Sequence, residues 1–287
     1  MYIRLKHIAV ALLLFFTAVA VTAGIHRAVF TYSPSAQTQK SADVVILMYH
    51  SILKSSNGSK YIVSPTAFEN DLKFLSENGY KTVLMQDLID FVYEGTSLPE
   101  KSVVLTFDDG YYNNYVYIYP LLKRYNAKAV ISIVGEYTDE YSNNNDTHVN
   151  YAHLSWDNLR EMSESGLVEI QNHTYALHSY DKGRKGCSIK SGESVEAYTE
   201  MLTKDIGRLQ NECLENLGKA PEVFTYPFGF ICDESYDIVK NLGFRASLSC
   251  REGLNTIERR PEQLYLLKRY LRTPRRGAAD IISQLNQ

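Results

Sequence analysis

Cysteine is scarce in this chain, and its four cysteines, Cys187, Cys213, Cys232 and Cys250, are far apart. None has the C-x-x-C spacing of a thiolate zinc site, so a structural zinc site of that kind is not expected. Their pairing stays open between buried free thiols and one disulfide. A strong charge of either sign is also lacking. The formal net charge of -3 gives no reason to expect nucleic acid or an acidic membrane as a partner.

Apolar and aromatic residues, by contrast, are plentiful. The hydrophobic fraction of 45% is ample for a core, and 287 residues are compatible with one enzyme-sized domain, since barrels of about 250 residues fold as single domains. The chain has 22 tyrosines. Such amphipathic rings suit sugar-binding clefts, although half-buried structural positions account for many of them.

The N-terminal segment indicates where the protein works. Arg4 and Lys6 precede an uncharged apolar stretch, 8–24, which has the layout of a secretory signal, and Ala23 lies among small residues that suit cleavage. The stretch is also near the lower limit for crossing a bilayer, so residues 1–24 are interpreted as a signal peptide or an N-terminal membrane anchor. Residues 25–42 have the composition of a linker, and 43–287 form the predicted catalytic domain. We therefore expect an exported monomer, secreted or anchored to the outer face of the cytoplasmic membrane.

Beyond the linker, strand and helix patterns alternate. The predicted strands are 44–49, 82–85, 101–109, 127–134, 167–171, 222–226 and 245–249, and the predicted helices are 65–78, 87–94, a tyrosine-rich helix ending near 125, 155–164, 193–217 and 233–241. Alternation with helical crossovers favours an α/β fold with a parallel sheet. About seven such units favour a closed barrel over an open sheet.

The chemistry of the chain is concentrated in two motifs. Asp108 and Asp109 end the strand at 101–109, and two adjacent carboxylates there are costly to bury unless they are paired or bind a metal. His173 and His178 follow the strand at 167–171. One carboxylate and two histidines make a three-ligand set that leaves coordination positions open, as catalytic metal sites do. The second carboxylate is then a natural base for activating water.

Two other predicted strand ends carry polar or turn chemistry. His50 follows the first strand, and the turn Tyr226-Pro227-Phe228-Gly229 follows the strand at 222–226. Active residues of α/β barrels lie at the C-terminal ends of the strands. All four strand ends are therefore expected on one rim of the barrel.

These residues together resemble a known family. The run Thr106-Phe107-Asp108-Asp109-Gly110, the His173-Thr174 pair with the later His178, and the turn 226–229 are similar to the motifs of the polysaccharide deacetylases, carbohydrate esterase family 4. The resemblance covers roughly residues 43–272. It implies a distorted, seven-stranded (β/α) barrel of the polysaccharide deacetylase type.

The resemblance also implies roles for individual residues. Asp109, His173 and His178 would hold a divalent metal, usually Zn²⁺, although Co²⁺, Ni²⁺ and Fe²⁺ suit such ligands as well. Asp108 would be the base. A backbone N–H near Phe228, in the turn with Tyr226 and Pro227, would help bind the oxyanion or substrate. The reaction would remove an acetyl group from an N-acetylated sugar, releasing acetate.

Three departures from the commoner family pattern stand out. The second histidine, His178, comes one residue late, a spacing that resembles the poly-N-acetylglucosamine deacetylase-like subgroup of exopolysaccharide systems. The arginine that usually steadies the base is missing from the third motif, and Arg269 is a weak candidate to replace it. The usual Leu-x-His source of the general acid is also missing, and His50 matches the histidine that replaces it in that subgroup.

Several alternatives stay open at this point. His50 could be a core histidine, and His153 fits a packing residue at the entry of a helix. Tyr111 is a weak substrate-binding candidate, because a tyrosine at such a position is more often core or half-buried structure. The predicted substrate is a polymer of N-acetylglucosamine, either an exopolysaccharide or a cell-wall glycan. The alternatives are an O-acetyl esterase acting on a xylan-type polysaccharide and a non-catalytic glycan-binding domain on the same fold.

Overall fold

The core of the fold is a curled parallel sheet. The computed structural model describes residues 39–55, 58–180 and 183–285. Six of its strands lie side by side in chain order and run parallel: β1 (Ser41–Tyr49), β5 (Ser102–Asp109), β6 (Ala129–Ile133), β7 (Val168–Asn172), β8 (Val223–Thr225) and β9 (Ala246–Leu248). All residues of β5 and β6 are buried, as expected for parallel strands that are covered on both faces.

A short C-terminal segment brings the two ends of this sheet together. Leu267 forms a parallel bridge with Leu248 of β9, and β11 (Tyr270–Leu271) pairs in parallel with Leu47 and Met48 of β1. Seven parallel strands therefore form a distorted barrel, which confirms the predicted fold class. Four short strands complete the set: β2 (Ser51–Ile52), β3 (Ile62–Val63), β4 (Lys81–Thr82) and β10 (Asn255–Glu258). Of these, β10 pairs antiparallel with β1, and β4 pairs in parallel with Ser102 and Val103 at the start of β5.

The crossovers are mostly helical, and their ends match the local sequence. The α-helices are α1 (Pro65–Glu77), α2 (Met85–Tyr93), α3 (Tyr119–Tyr125), α4 (Gly135–Asn144), α5 (Trp156–Glu164), α6 (Val195–Leu217), α7 (Asp233–Asn241) and α8 (Ala278–Leu285). Ser64 caps α1 by accepting a hydrogen bond from the Ala67 N–H at 3.1 Å, with Pro65 in the first turn. Gly218 ends α6 in the left-handed conformation.

The side chains inside the barrel change from apolar to polar towards the C-terminal ends of the strands. Val104, Thr106 and Asp108 alternate with outward-facing residues of β5, so they share the inner face of the sheet. Val104 belongs to an apolar cluster. Towards the C-terminal end polar contacts take over, because the Ser132 and Thr225 hydroxyls are 2.7 Å apart and Thr106 accepts a hydrogen bond from Arg269. The polar end of the barrel is where the motif residues lie.

The predicted leader at 1–24 and nearly all of the predicted linker at 25–42 lie outside the described residues. Among the described helices, none combines the length and the apolar character needed to cross a bilayer. All four cysteines are free thiols; Cys187 and Cys213 are buried, and Cys232 and Cys250 are half-buried.

Glu169, on β7, lies away from the motif residues and makes stability depend on pH. Its carboxylate accepts hydrogen bonds from the Gln86 N–H at 3.0 Å and from the Gln171 side chain. Burial outweighs these contacts and raises the pKa of Glu169 from 4.5 to about 7. Folding therefore favours the protonated acid, and the stability that it contributes is lost as pH rises from about 4.5 to about 7.

We expect Glu169→Gln to remove this loss, because the amide keeps one of the two acceptor oxygens and removes the half-buried charge. Unfolding in urea should show the variant about 1–3 kcal/mol more stable than the wild type at pH 8. At pH 4.5 the two proteins should have similar stability. A variant that is no more stable at pH 8 would mean that the charged form of Glu169 is well solvated.

Candidate active site

The four strand ends that carry the motif residues meet at one cavity of about 590 Å³. Asp108 and Asp109 reach it from β5, His173 and His178 from the loop after β7, and His50 directly after β1. The turn after β8 contributes Phe228. The sequence expectation that these segments share one rim therefore agrees with their positions.

Asp109, His173 and His178 converge as a possible metal site. One ligand atom from each residue lies within 4.8 Å of the others. The Asp109 Oδ1 atom is 3.1 Å from His178 Nε2 and 3.6 Å from His173 Nε2. This oxygen is buried, and no hydrogen bond to it is found among the described residues. A buried acceptor without a donor, facing two imidazole nitrogens, fits the position of a cation.

The second nitrogen of His173 supports the same interpretation. His173 Nδ1 lies 2.7 Å from the Thr225 carbonyl oxygen, which can only accept a hydrogen bond, so the proton is on Nδ1. That tautomer leaves the Nε2 lone pair directed at Asp109. A backbone carbonyl that fixes the ring in this way is typical of histidine metal ligands. The oxygen and two nitrogen donors suit zinc and neighbouring divalent ions.

Three residues around the site hold a backbone conformation that is unfavourable for side chains other than glycine. The φ angles are 72° at Asp109, 73° at Thr174 and 57° at Phe228, and the described part of the chain has only three other non-glycine residues with positive φ. Each such residue costs roughly 1–3 kcal/mol, and such strain clusters at functional sites. Here it turns the chain at the ends of β5, β7 and β8.

The loop that carries His178 is held by an acid that the sequence did not suggest. Asp205, on α6, accepts hydrogen bonds from the Tyr175 N–H at 2.8 Å and the Ala176 N–H at 2.9 Å. These two bonds tie the segment between His173 and His178 to α6. Asp205 is separated from Tyr175 by 30 residues and belongs to no motif, so no local signal could have found it.

Asp108 is paired with Arg269 in a buried ion pair. The guanidinium donates from Nη1 to Oδ1 at 2.7 Å and from Nη2 to Oδ2 at 2.9 Å, and its Nε donates to the Ser249 carbonyl at 2.8 Å. Arg269 is completely buried and Asp108 nearly so. Burial alone would raise the pKa of Asp108, but Arg269 and the nearby imidazoles lower it below its ordinary value. The segment that closes the barrel thus supplies the arginine that the third motif lacks.

His50 lies beside the same carboxylate. Its Nε2 is 4.0 Å from Asp108 Oδ2, and its backbone carbonyl accepts a hydrogen bond from the Asn114 amide at 3.0 Å. Burial lowers the pKa of His50 despite the nearby carboxylates. The buried Nδ1 has no hydrogen-bond partner within the described ranges. The ring lines the cavity beside Asp108, and this position favours a role in the cavity over a packing role.

The residues of the 226–229 turn lie in different surroundings. The Tyr226 ring is fully buried, and the backbone N–H of Tyr226 donates a hydrogen bond to the Leu248 carbonyl at 3.1 Å. Pro227 has no N–H. Phe228 alone lines the cavity, with its ring 4.4 Å from the His178 ring, and no hydrogen bond of its N–H is found in the described residues. Only the Phe228 N–H is therefore available to an oxyanion, while Tyr226 and Pro227 shape the turn.

Tyr111 and His153 form an aromatic group next to the possible metal site. Their rings stack at 4.8 Å, and Tyr111 lines the cavity. Burial and then the Asp109 charge raise the pKa of the Tyr111 phenol. Burial lowers the pKa of His153 to about 4, so this ring is neutral, and it also lies against Tyr137 and Tyr141. His153 is thus part of an aromatic cluster, in keeping with the packing interpretation.

Comparison with known proteins identifies the family. The sequence pattern of the polysaccharide deacetylases matches residues 95–247, more than half of the chain. The chain belongs to the polysaccharide deacetylase family. This confirms the resemblance drawn from the motifs, and it confirms the prediction of an enzyme over a glycan-binding domain.

Sequence relatives and solved structures agree with this assignment. A Staphylococcus aureus protein named poly-beta-1,6-N-acetyl-D-glucosamine N-deacetylase is 27% identical over 234 residues, which cover 77% of this chain and 76% of the relative. The structure of a de-N-acetylase from Aggregatibacter actinomycetemcomitans has a TM-score of 0.72 at 29% identity, covering 84% of this chain and 99% of that one. The structure of IcaB from Ammonifex degensii has a TM-score of 0.71 at 26% identity, covering 86% and 98%.

Proposed function

We propose that this polysaccharide deacetylase is a metal-dependent N-deacetylase of an N-acetylglucosamine polymer, and that it releases acetate and leaves a free amine on the glycan. The observation that carries the proposal is the convergence of Asp109, His173 and His178 beside the Asp108–Arg269 pair. The names of the relatives favour a β-1,6-linked exopolysaccharide as the substrate. A cell-wall glycan is the second candidate within the same chemistry.

Asp109, His173 and His178 would hold the metal, and zinc is our first choice because the donors are one carboxylate and two imidazoles. When bound there, a divalent metal supplies a Lewis acid that acidifies water and polarises the acetyl carbonyl. Co²⁺, Ni²⁺ and Fe²⁺ suit the same donors, and the supply in the cell decides among them.

The proton transfers are assigned to Asp108 and His50. Arg269 keeps Asp108 ionised, so this carboxylate can accept a proton from the attacking water. The Phe228 N–H can donate a hydrogen bond to the oxygen that becomes negative during attack. Burial lowers the pKa of His50, so its ring must take up a proton before it can act as the acid. The ring lines the same cavity, 4.0 Å from Asp108, and is placed to give that proton to the departing nitrogen.

The role of His50 predicts a difference between amide and ester substrates. An amine is a poor leaving group without a proton, whereas an alkoxide or phenoxide leaves more readily. We expect His50→Gln to lower kcat on N-acetylated oligomers by roughly 10²–10³-fold and to have a much smaller effect on an aryl acetate. Equal losses on both substrates would assign His50 to positioning of Asp108 instead.

Acetate release by the purified protein tests the proposed function directly. β-1,6-linked N-acetylglucosamine oligomers, β-1,4-linked oligomers and acetylated xylan should be compared at equal acetyl concentration. The proposal predicts the highest kcat/KM on the β-1,6-linked amide. A preference for the β-1,4-linked oligomers would favour a cell-wall glycan, and activity on xylan alone would establish the O-acetyl esterase.

We also propose that the protein acts outside the cytoplasmic membrane. The support is the sequence of residues 1–24, whose basic start and apolar stretch suit export, and the polymeric substrate, which cells place outside. Any contact with the membrane would come through that N-terminal segment. Fractionation of cells that express the full chain, with N-terminal sequencing, would separate secretion from anchoring.

A further inference from the structure

Two of the four cysteines lie together in one apolar cluster. Cys187 is in the loop between β7 and α6, and Cys232 is the N-cap residue of α7. Both contribute to the cluster that packs α6 against α7, in which Cys187 is fully buried. Cys213 belongs to a different apolar cluster, and Cys250 has its sulfur 3.9 Å from Arg269 Nη2. The chain therefore has one pair of neighbouring cysteines and two cysteines in other surroundings.

The Tyr198 hydroxyl connects the two neighbouring cysteines. It donates a hydrogen bond to the Cys187 carbonyl at 2.5 Å, and its oxygen is 3.4 Å from Cys232 Sγ, so the Cys232 sulfur lies close to the Cys187 backbone. The Cys187 sulfur in turn is 3.7 Å from the carbonyl oxygen of Phe230, two residues before Cys232. Burial and then the nearby Cys232 thiol raise the pKa of Cys187. These separations are within reach of a disulfide, whose two Cα atoms are about 4.4–6.8 Å apart.

The two cysteines continue segments that reach the cavity. The loop after β7 carries His178 and then Cys187, and the turn at 226–229 is followed by Cys232. Gly186 lies directly against that turn, since a Cβ at this glycine would be 3.0 Å from a backbone oxygen of the turn. A covalent link beside this contact would hold the His178 loop against the turn.

We propose that Cys187 and Cys232, which are thiols in this structure, form a disulfide that fixes the His178 loop to the turn at 226–229. The link forms by thiol–disulfide exchange with an external disulfide, such as oxidised glutathione or a protein disulfide. The two cysteines give up two protons and two electrons as the S–S bond forms, and the external disulfide is reduced to two thiols. Disulfides persist outside the cytoplasm, so the link suits the export proposed for this chain. It does not depend on the deacetylase activity.

Peptide mapping of the full chain tests the link. The protein is equilibrated with reduced and oxidised glutathione and quenched with acid, and its remaining thiols are alkylated with N-ethylmaleimide in denaturant. Trypsin places the four cysteines on four different peptides, because a lysine or an arginine lies between each successive pair. We expect the Cys187 and Cys232 peptides to be joined, with Cys213 and Cys250 outside any link between cysteines. Maleimide or glutathione on both Cys187 and Cys232, or pairing of either with another cysteine, would overturn the proposal.

Melting temperatures test what the link does to the fold. A bridge that closes a loop of about 45 residues restricts the unfolded chain, so the oxidised protein should melt about 5–15 °C above the reduced one. Cys187→Ala and Cys232→Ala should each melt at the same temperature under both conditions. Maleimide labelling of each sample confirms that reduction is complete.

Cys213→Ala is the matched control, since Cys213 is as buried as Cys187 but lies in another apolar cluster. This variant should keep the wild-type difference between the oxidised and reduced forms, even where its own melting temperature is lower. A mapped link that leaves the melting temperature of the wild type unchanged would overturn the role of the disulfide in holding the two segments together.

Discussion

Asp108→Asn is expected to lower kcat for acetate release from N-acetylglucosamine oligomers by roughly 10³-fold, because the amide cannot take a proton from water. The substitution keeps the size of the side chain and one acceptor for Arg269. Asp108 is not among the three residues that group as a possible metal site, so the variant should still bind metal. The measurement pairs kcat with the metal content of the purified protein.

The adjacent carboxylate provides the matched comparison. Asp109→Asn should also abolish acetate release, but through loss of the metal, because an amide oxygen is a much poorer zinc ligand than a carboxylate. Loss of metal in both variants would make Asp108 a ligand as well, and a fully active Asp108→Asn would remove it from the mechanism. The expected pair of results would separate proton transfer from metal binding at two neighbouring residues with the same side chain.

Arg269→Met is expected to destabilise the fold by about 3–5 kcal/mol at pH 7, because it leaves the Asp108 charge buried without its partner. That is a large part of the total stability of an ordinary domain, which is about 5–15 kcal/mol. Activity should also fall, since Arg269 is the first of the groups that lower the pKa of Asp108 against the effect of burial. Urea unfolding and kcat, measured on the same preparation, check both effects.

A second buried pair separates stability from catalysis. Arg272 donates hydrogen bonds to Asp71 at 2.7 and 3.2 Å, is almost as buried as Arg269, and lies outside the cavity. Arg272→Met should therefore cost comparable stability with little effect on kcat of the folded protein.

The double variant Asp108→Asn/Arg269→Met should lose less stability than the sum of the single changes, since no unpaired carboxylate is left. Additive losses would show that the two residues act independently.

Local patterns in the sequence predicted most of the architecture and the centre of the site. The cap at Ser64 with Pro65 set the start of α1 correctly, and the apolar run before Asp108 predicted the strand β5. The two motifs came together because the ends of parallel strands share a rim. Helix α4 was not predicted at all, and its last residues, Ser142 to Asn144, have the composition of a loop. Strands β2, β3, β10 and β11 were too short for an alternating pattern to appear.

Contacts between distant segments were harder to predict. Arg269 lies 161 residues from Asp108 along the chain, and its role could only be suggested by the lack of an arginine in the turn at 226–229. No motif lacks a residue that Asp205 would replace, so its hydrogen bonds to the His178 loop could not be predicted from the sequence. Sequence patterns indicate which faces of a helix or strand are buried. Contacts between residues that are far apart along the chain form only once the barrel has closed.

Removal and return of the metal tests the central claim most directly. Acetate release from β-1,6-linked N-acetylglucosamine oligomers should be measured before chelation, after chelation, and after zinc is returned in increments. The proposed function predicts that activity disappears with the metal and recovers fully at one zinc per chain. Undiminished acetate release from protein shown to be free of metal would contradict it.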